Sequence, residues 1–166
     1  MKVELKQWNF TFLDELVSLA NNEKLSARLR DEFPHPYQKK DGEEWISVNA
    51  NAIPQTNFAI FVNDQFAGGT GIKLNKDVHR KSAEIGYWLG EPFWGKGIGT
   101  LAIGLLVKYI FTHFDIVRIY AEVFSNNPAS MRALEKNGFT LEAVMKKAIF
   151  NNEQLMDGYL WARTRD

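Results

Sequence analysis

From Lys2 to Trp8 the residues KVELKQW alternate between apolar and polar, the two-residue period of a strand. Thr11 followed by Asp14 resembles a capping arrangement, so a helix is expected from there to about Ala20. NNEKLSARL suggests a second, short helix. DEFPHPY reads as a loop fixed by Pro34 and Pro36, and KKDGEEWISVNANA as a helix stopped ahead of Pro54. NFAIFVN and QFAGGTGIKL are strand-like runs on either side of Asp64, a hairpin signal, and KSAEIGYWLG is a further strand. EPFWGKGIGTLAIGLLVKYIF changes character halfway. Gly95, Gly97 and Gly99 lead into an apolar helix expected from about Gly97 to His113. VRIYAEVF is a strand, PASMRALEKN a helix closed by Gly138, and FTLEAVMKKAIF with QLMDGYLWART a last hairpin. The order β-α-α-α-β-β-β-α-β-α-β-β gives a mixed α/β sheet, mostly antiparallel, with helices on both faces. The strand–helix–strand step around Gly97 calls for one parallel crossover.

Composition narrows the function classes. The 166 residues fit one domain, expected to span 1–166, because no repeat or Pro/Gly/Ser linker divides the chain. Twenty basic residues balance twenty acidic ones, so the broad positive field that drives nucleic-acid binding is missing. With no cysteine, thiolate metal sites and cysteine nucleophiles are excluded. The three histidines, His35, His79 and His113, lie far apart and show no paired-ligand spacing, so no metal is expected. No apolar run approaches the roughly 18 residues of a membrane span, and MKVELKQWNF has no signal core. The expectation is a cytoplasmic monomer or homodimer that binds neither nucleic acid nor membrane.

Glycines that open straight into a helix bring bare backbone N–H groups up to an anion. GKGIGT lacks the Gly-Lys-Ser/Thr of a Walker-type phosphate loop. A dinucleotide fingerprint is closer, as Gly95-x-Gly97-x-x-Thr100 with Glu122 on a later strand for a ribose. However, EPFW separates the glycines from the strand before them, and Thr100 stands at the third glycine position. A helix start with no ligand is a further reading.

Taken together, EIGYWLGEPFWGKGIGT and VRIYAEVFSNNPASMRALEKNGF resemble the GNAT family of acyl-CoA-dependent N-acetyltransferases. Within it, the chain looks most like the Rim-type branch that acetylates ribosomal-protein N-termini. The resemblance covers nearly the whole chain. It implies an acyl-CoA N-acyltransferase fold in which the strands matching IGYWLG and IYAEVF splay apart to admit the pantetheine arm. It also implies that Gly95, Lys96, Gly97, Ile98, Gly99 and Thr100 hold the pyrophosphate of acetyl-CoA, the cosubstrate. Backbone groups near Trp88 and Leu89 would pair with the arm, and Asn127 would contact the pantetheine or the loop beneath it. Turn chemistry in NNP is the rival reading for Asn127.

Ser130 is, by the same resemblance, either the acid that protonates the departing thiolate or a helix cap. Many GNAT enzymes use for this a tyrosine four residues before GF; here that position is Leu134, so the tyrosine mechanism is closed at that place. The attacking amine must be neutral. At pH 7.5 roughly 0.1% of a lysine side chain and roughly a third of an α-amine are neutral, so a lysine acceptor asks about 4 kcal/mol more of the enzyme. Glu84 is the first candidate base and Glu122, a lone carboxylate among Tyr120, Ala121, Val123 and Phe124, the second; salt-bridged strand residues are the plain alternative. Without a cysteine, direct attack in a ternary complex replaces a thioester enzyme intermediate.

The acceptor pocket is expected from RDEFPHPYQ and the acidic DGEEW, with Phe33, Tyr37, Glu84 and Tyr87 as substrate-binding residues. A protein N-terminus and a small amine both stay open as acceptor. Two other function classes stand beside the transferase: a non-catalytic acyl-CoA sensor and a nucleotide-binding oxidoreductase.

Overall fold

The computed structural model describes residues 1–166. Its elements follow the expected order: β1 (Val3–Lys6), α1 (Leu13–Ala20), α2 (Glu23–Ser26), α3 (Lys39–Asn49), β2 (Asn57–Val62), β3 (Gln65–Leu74), β4 (Ser82–Leu89), α4 (Ile98–His113), β5 (Arg118–Phe124), α5 (Pro128–Lys136), β6 (Thr140–Asn151) and β7 (Gln154–Thr164). One start differs. Asn9, not Thr11, makes the first cap: its side chain accepts the Thr11 N–H, and a 3₁₀ turn over Phe10–Phe12 precedes α1. The β2–β3 hairpin turns on Asn63 and Asp64, both with positive φ (46° and 64°), the geometry that matches the twist of paired strands.

The seven strands form one sheet in the order β1-β2-β3-β4-β5-β7-β6. Every neighbouring pair is antiparallel except β4 and β5. Side chains of a strand alternate between its faces, and each face is covered. Ala83, Ile85, Ile119, Ala121 and Val123 pack under α4 and α5 against Ile103, Leu106, Ile110 and Leu134. Across the sheet, Ala59, Phe61 and Phe66 pack with Trp8, Leu16, Tyr37 and Ile46 of the N-terminal segments. Burying a Leu or Ile side chain contributes about 1.5–3 kcal/mol, so these two layers hold the sheet from both sides.

The parallel pair is short. β4 and β5 are in register only over Ser82↔Arg118, Ala83↔Ile119 and Glu84↔Tyr120. β4 nevertheless continues to Leu89 beside β3, and β5 to Phe124 beside β7. The two strands therefore diverge toward their C-terminal ends, as the resemblance implies, and leave a V-shaped gap in the middle of the sheet.

Candidate active site

The glycine segment stands at the mouth of that gap. After β4 a 3₁₀ turn over Glu91–Phe93 is tied to α2 by Asn22 and Lys24, each donating to the Glu91 carboxylate at 2.7 Å. Gly95 and Gly97 take φ of +72° and +77°, a region costly for residues with a Cβ, and a Cβ on either would meet no protein atom within 4 Å. Gly97 opens α4 with no side-chain cap, and no acid occupies the first turn. Leu101 is the first N–H of the helix to find a carbonyl, that of Gly97 at 3.3 Å, so Ile98, Gly99 and Thr100 keep theirs bare. Three converging donors, the positive end of a 16-residue helix and exposed Lys96 make a seat suited to an anion.

Gly99 has a different reason. A Cβ there would lie 2.9 Å from the Tyr87 ring and 3.0 Å from its hydroxyl. The third glycine makes room for a tyrosine of β4, rather than for phosphate as the loop pattern suggests.

The walls of the gap carry free backbone groups. Gly90 donates to Ala67 O and Asn75 to Ser82 O, so the even-numbered residues of β4 spend their peptide groups on β3. This corrects Trp88: its backbone faces β3, and its indole packs at 5.5 Å from Phe33 and 6.1 Å from Phe66. Tyr87 and Leu89 face the gap instead. The Leu89 carbonyl is taken by Trp94 Nε1 at 2.7 Å, which leaves both groups of Tyr87 and the N–H of Leu89 open. On the far wall, Ser125 donates to Asp157 O and Arg165 to Val117 O, so odd-numbered residues of β5 pair with β7 and the peptide groups of Glu122 face the gap.

At the α5 side of the gap, Asn127 is the cap of the helix: its Oδ1 accepts the Ser130 N–H at 3.4 Å, and its own N–H bonds Phe124 O at 2.9 Å. Asn127 Nδ2 has no protein partner. Ser130 is therefore not the cap. It sits in the first turn of α5, 8% exposed, with its hydroxyl against the Tyr87 phenol. Burial pushes that phenol up, and the neighbouring Ser130 hydroxyl pulls the other way. Tyr87 thus points to the α4–α5 face of the sheet, away from the face that carries Glu84 and Arg30. Leu134 is buried in the core at 1% exposure, unable to serve as an acid.

Glu84 and Glu122 lie on the opposite face, since even and odd residues of a strand point apart. Glu84 Oε1 accepts from Arg30 Nη2 in an ion pair, and Glu84 is largely shielded. Burial opposes the Arg30 charge, but the Glu84 hydrogen bond and the carboxylates of Glu84, Glu122 and Glu32 outweigh it and hold the guanidinium above its usual range. Glu122 has no hydrogen-bond or ion-pair partner. It lines a cavity of about 250 Å³ with Arg30, Asp31, Phe124, Phe150 and Asn151. A larger polar groove of about 630 Å³ lies at the other end of α5, around Lys136 and Arg163.

Two expected lining residues are elsewhere. Tyr37 is buried at 6% exposure, and burial, helped by Asp41, pushes its phenol up to about 12. Asp41 caps α3 by accepting the Gln38 N–H at 2.7 Å. Phe33 packs 5.3 Å from Tyr37 and 5.5 Å from Trp88. Arg30 opens the RDEFPHPYQ stretch expected to line the acceptor pocket, whereas Gly86 lies outside every expected site. A Cβ on Gly86 would meet nothing within 4 Å, which leaves an opening beside Glu84. A glycine inside a strand is the signal that marked it in the sequence.

Comparison with known proteins gives a consistent picture. The profile of the acetyltransferase (GNAT) domain matches residues 2–140. The ribosomal-protein-serine acetyltransferase of Escherichia coli (strain K12) is 34% identical over 109 residues, 66% of this chain and 60% of that protein. The uncharacterized N-acetyltransferase p20 of Bacillus licheniformis is 33% identical over 132 residues, 78% of this chain and 74% of the other. In structure, the chain overlays on RimL, a ribosomal L7/L12 alpha-N-protein acetyltransferase in complex with coenzyme A, with a TM-score of 0.86 at 26% identity, covering 100% and 96% of the two chains. No helix is long and apolar enough to cross a membrane.

Proposed function

The chain belongs to the GNAT family of acetyltransferases, and on that premise we infer that it moves the acetyl group of acetyl-CoA to a primary amine, at a protein N-terminus or on a small molecule. One observation carries this reading: the uncapped start of α4 opens onto a gap whose β4 wall offers the free peptide groups of Tyr87 and Leu89. The pyrophosphate is held by the N–H groups of Ile98, Gly99 and Thr100 with Lys96, and the pantetheine pairs with the Tyr87–Leu89 edge as a short extra strand. Asn127 Nδ2 is free to donate to the same arm.

The thioester then lies between the strands, and the amine reaches it from the opposite face past Gly86. The amine nitrogen attacks the carbonyl carbon in a ternary complex, the C–S bond breaks, and the thiolate takes a proton from Ser130 or water. The amine proton passes to a carboxylate, directly or through water. Glu122 suits that role better than Glu84, because Glu84 already holds Arg30 while both oxygens of Glu122 are unengaged. We therefore propose Glu122 ahead of Glu84 as the base. We read residues 1–166 as one catalytic domain, acting in the cytoplasm without a metal, as a monomer or homodimer.

The test is acetyl-CoA consumption, followed as free thiol, across a panel of amines and N-terminal peptides. The expected result is thiol release matched one to one by N-acetylated product. Tight acetyl-CoA binding with no turnover on any amine would turn the assignment into a coenzyme sensor.

A further inference from the structure

Arg30 performs no step in the reaction described above, yet its half-exposed side chain pairs with Glu84 and lines the cavity that holds Glu122. Only one of its five N–H donors is engaged, the one on Glu84. The segment that carries it lies outside any helix or strand but is fastened from two sides. Asn126 Nδ2 donates to Ala27 O at 2.8 Å, and Asn151 Nδ2 donates to Leu29 O at 3.2 Å and to Asp31 Oδ1 at 3.1 Å. The loop is thus bound both to the β5–α5 turn and to the β6–β7 hairpin. With the chain on both sides of Arg30 fastened and one guanidinium N–H on Glu84, the remaining N–H groups of the planar fork stay available at the cavity, which suits recognition.

The cavity beside it offers both signs. Arg30 supplies unused donors, and Glu122 supplies an unused carboxylate. An alkylamine has only N–H groups to offer and can use the carboxylate alone. A polyamine can likewise use only the carboxylates, Glu122 and Asp31 in the cavity and Glu32 nearby, and leaves the free Arg30 donors unmatched. An amine with an acyl oxygen on the neighbouring carbon uses both groups at once, its nitrogen on Glu122 and its oxygen on the guanidinium.

We propose that Arg30 is a specificity-determining residue that donates to the acyl oxygen next to the acceptor's amine, so that the site selects α-amino acyl compounds over simple alkylamines. The proposal rests on the acetyl-transfer reading above. It differs in kind from a role in holding Glu84, which would affect every acceptor alike.

The experiment compares alaninamide with isopropylamine, which differ by the carboxamide, as kcat/KM for the wild type, Arg30→Gln and Arg30→Lys. Glutamine keeps a donor for Glu84, and the variant-to-wild-type ratio for each amine cancels their different basicities. Arg30→Gln is expected to lose roughly ten- to a hundredfold on alaninamide, the scale of one hydrogen bond from a charged donor, and to stay within about twofold on isopropylamine. Arg30→Lys should recover part of the loss on alaninamide alone. Equal losses on both amines mean that Arg30 acts only through Glu84 and overturn the proposal. A gain on both means that the guanidinium merely occupies the amine's place, and overturns it too. Wild-type protein that binds acetyl-CoA by calorimetry but acetylates neither of these amines nor any amine or N-terminal peptide of the panel would instead strike at the acetyl-transfer reading itself, whereas turnover on peptides with none on alaninamide would overturn the proposal.

Discussion

A carboxylate takes a proton from an amine only where a lone pair is unengaged and within reach, and the two glutamates of the acceptor face differ in that respect. Glu84 is bound to Arg30, whereas Glu122 is bound to nothing and borders the cavity. Glu122→Gln should therefore lower turnover by about 10²–10⁴-fold at neutral pH, the usual cost of removing a positioned base. The loss should narrow toward pH 9, where an α-amine is neutral without help. Ser130→Ala should slow transfer with little change in that pH profile, and Glu84→Gln should cost less than Glu122→Gln. Equal damage from the two glutamate variants would return Glu84 to the lead. In the sequence the two acids are nearly interchangeable, because what separates them is an arginine 54 residues from Glu84. The burial of Tyr37 is hidden in the sequence for a related reason: PHPY looks like a surface loop, but the cluster that buries its ring comes from distant segments.

At the scale of elements, the glycines before α4 were legible because positive φ and an uncapped helix start are local properties. Gly99 was not, since the Tyr87 ring that fills its space arrives from β4. Trp88 failed similarly, because which of its two edges a strand offers depends on its register with β3. The local device can be tested alone. Lys96 is exposed, so Lys96→Glu should leave the thermal midpoint unchanged. It should weaken acetyl-CoA roughly tenfold or more at low salt, with the gap closing as ionic strength rises. Titration calorimetry showing the same affinity at low salt would remove the loop from the coenzyme site. The β4–β5 divergence itself was not written in the hydrophobic pattern. It came from resemblance, and it is visible only when three paired residues are compared with the full length of both strands.

For the whole molecule, the sheet acts as a partition with a slot. The element order and the parallel step were readable from apolar periods and turn residues, because helices over both faces and a single crossover leave few arrangements. α4 and α5 bring Ser130 and the bare helix start to one face, while the Arg30 loop and the β6–β7 hairpin shape the other around Glu122. Two reactants can thus approach one point from opposite sides, which favours direct transfer through proximity. The most direct test is a crystal structure of the protein with acetyl-CoA. The expected result has the pyrophosphate within hydrogen-bonding distance of the Ile98, Gly99 and Thr100 N–H groups. The pantetheine should lie along Tyr87 and Leu89, with the thioester near Ser130 and open toward Glu122. Coenzyme bound away from the gap, or β4 and β5 zipped together along their full length around an empty slot, would contradict the account.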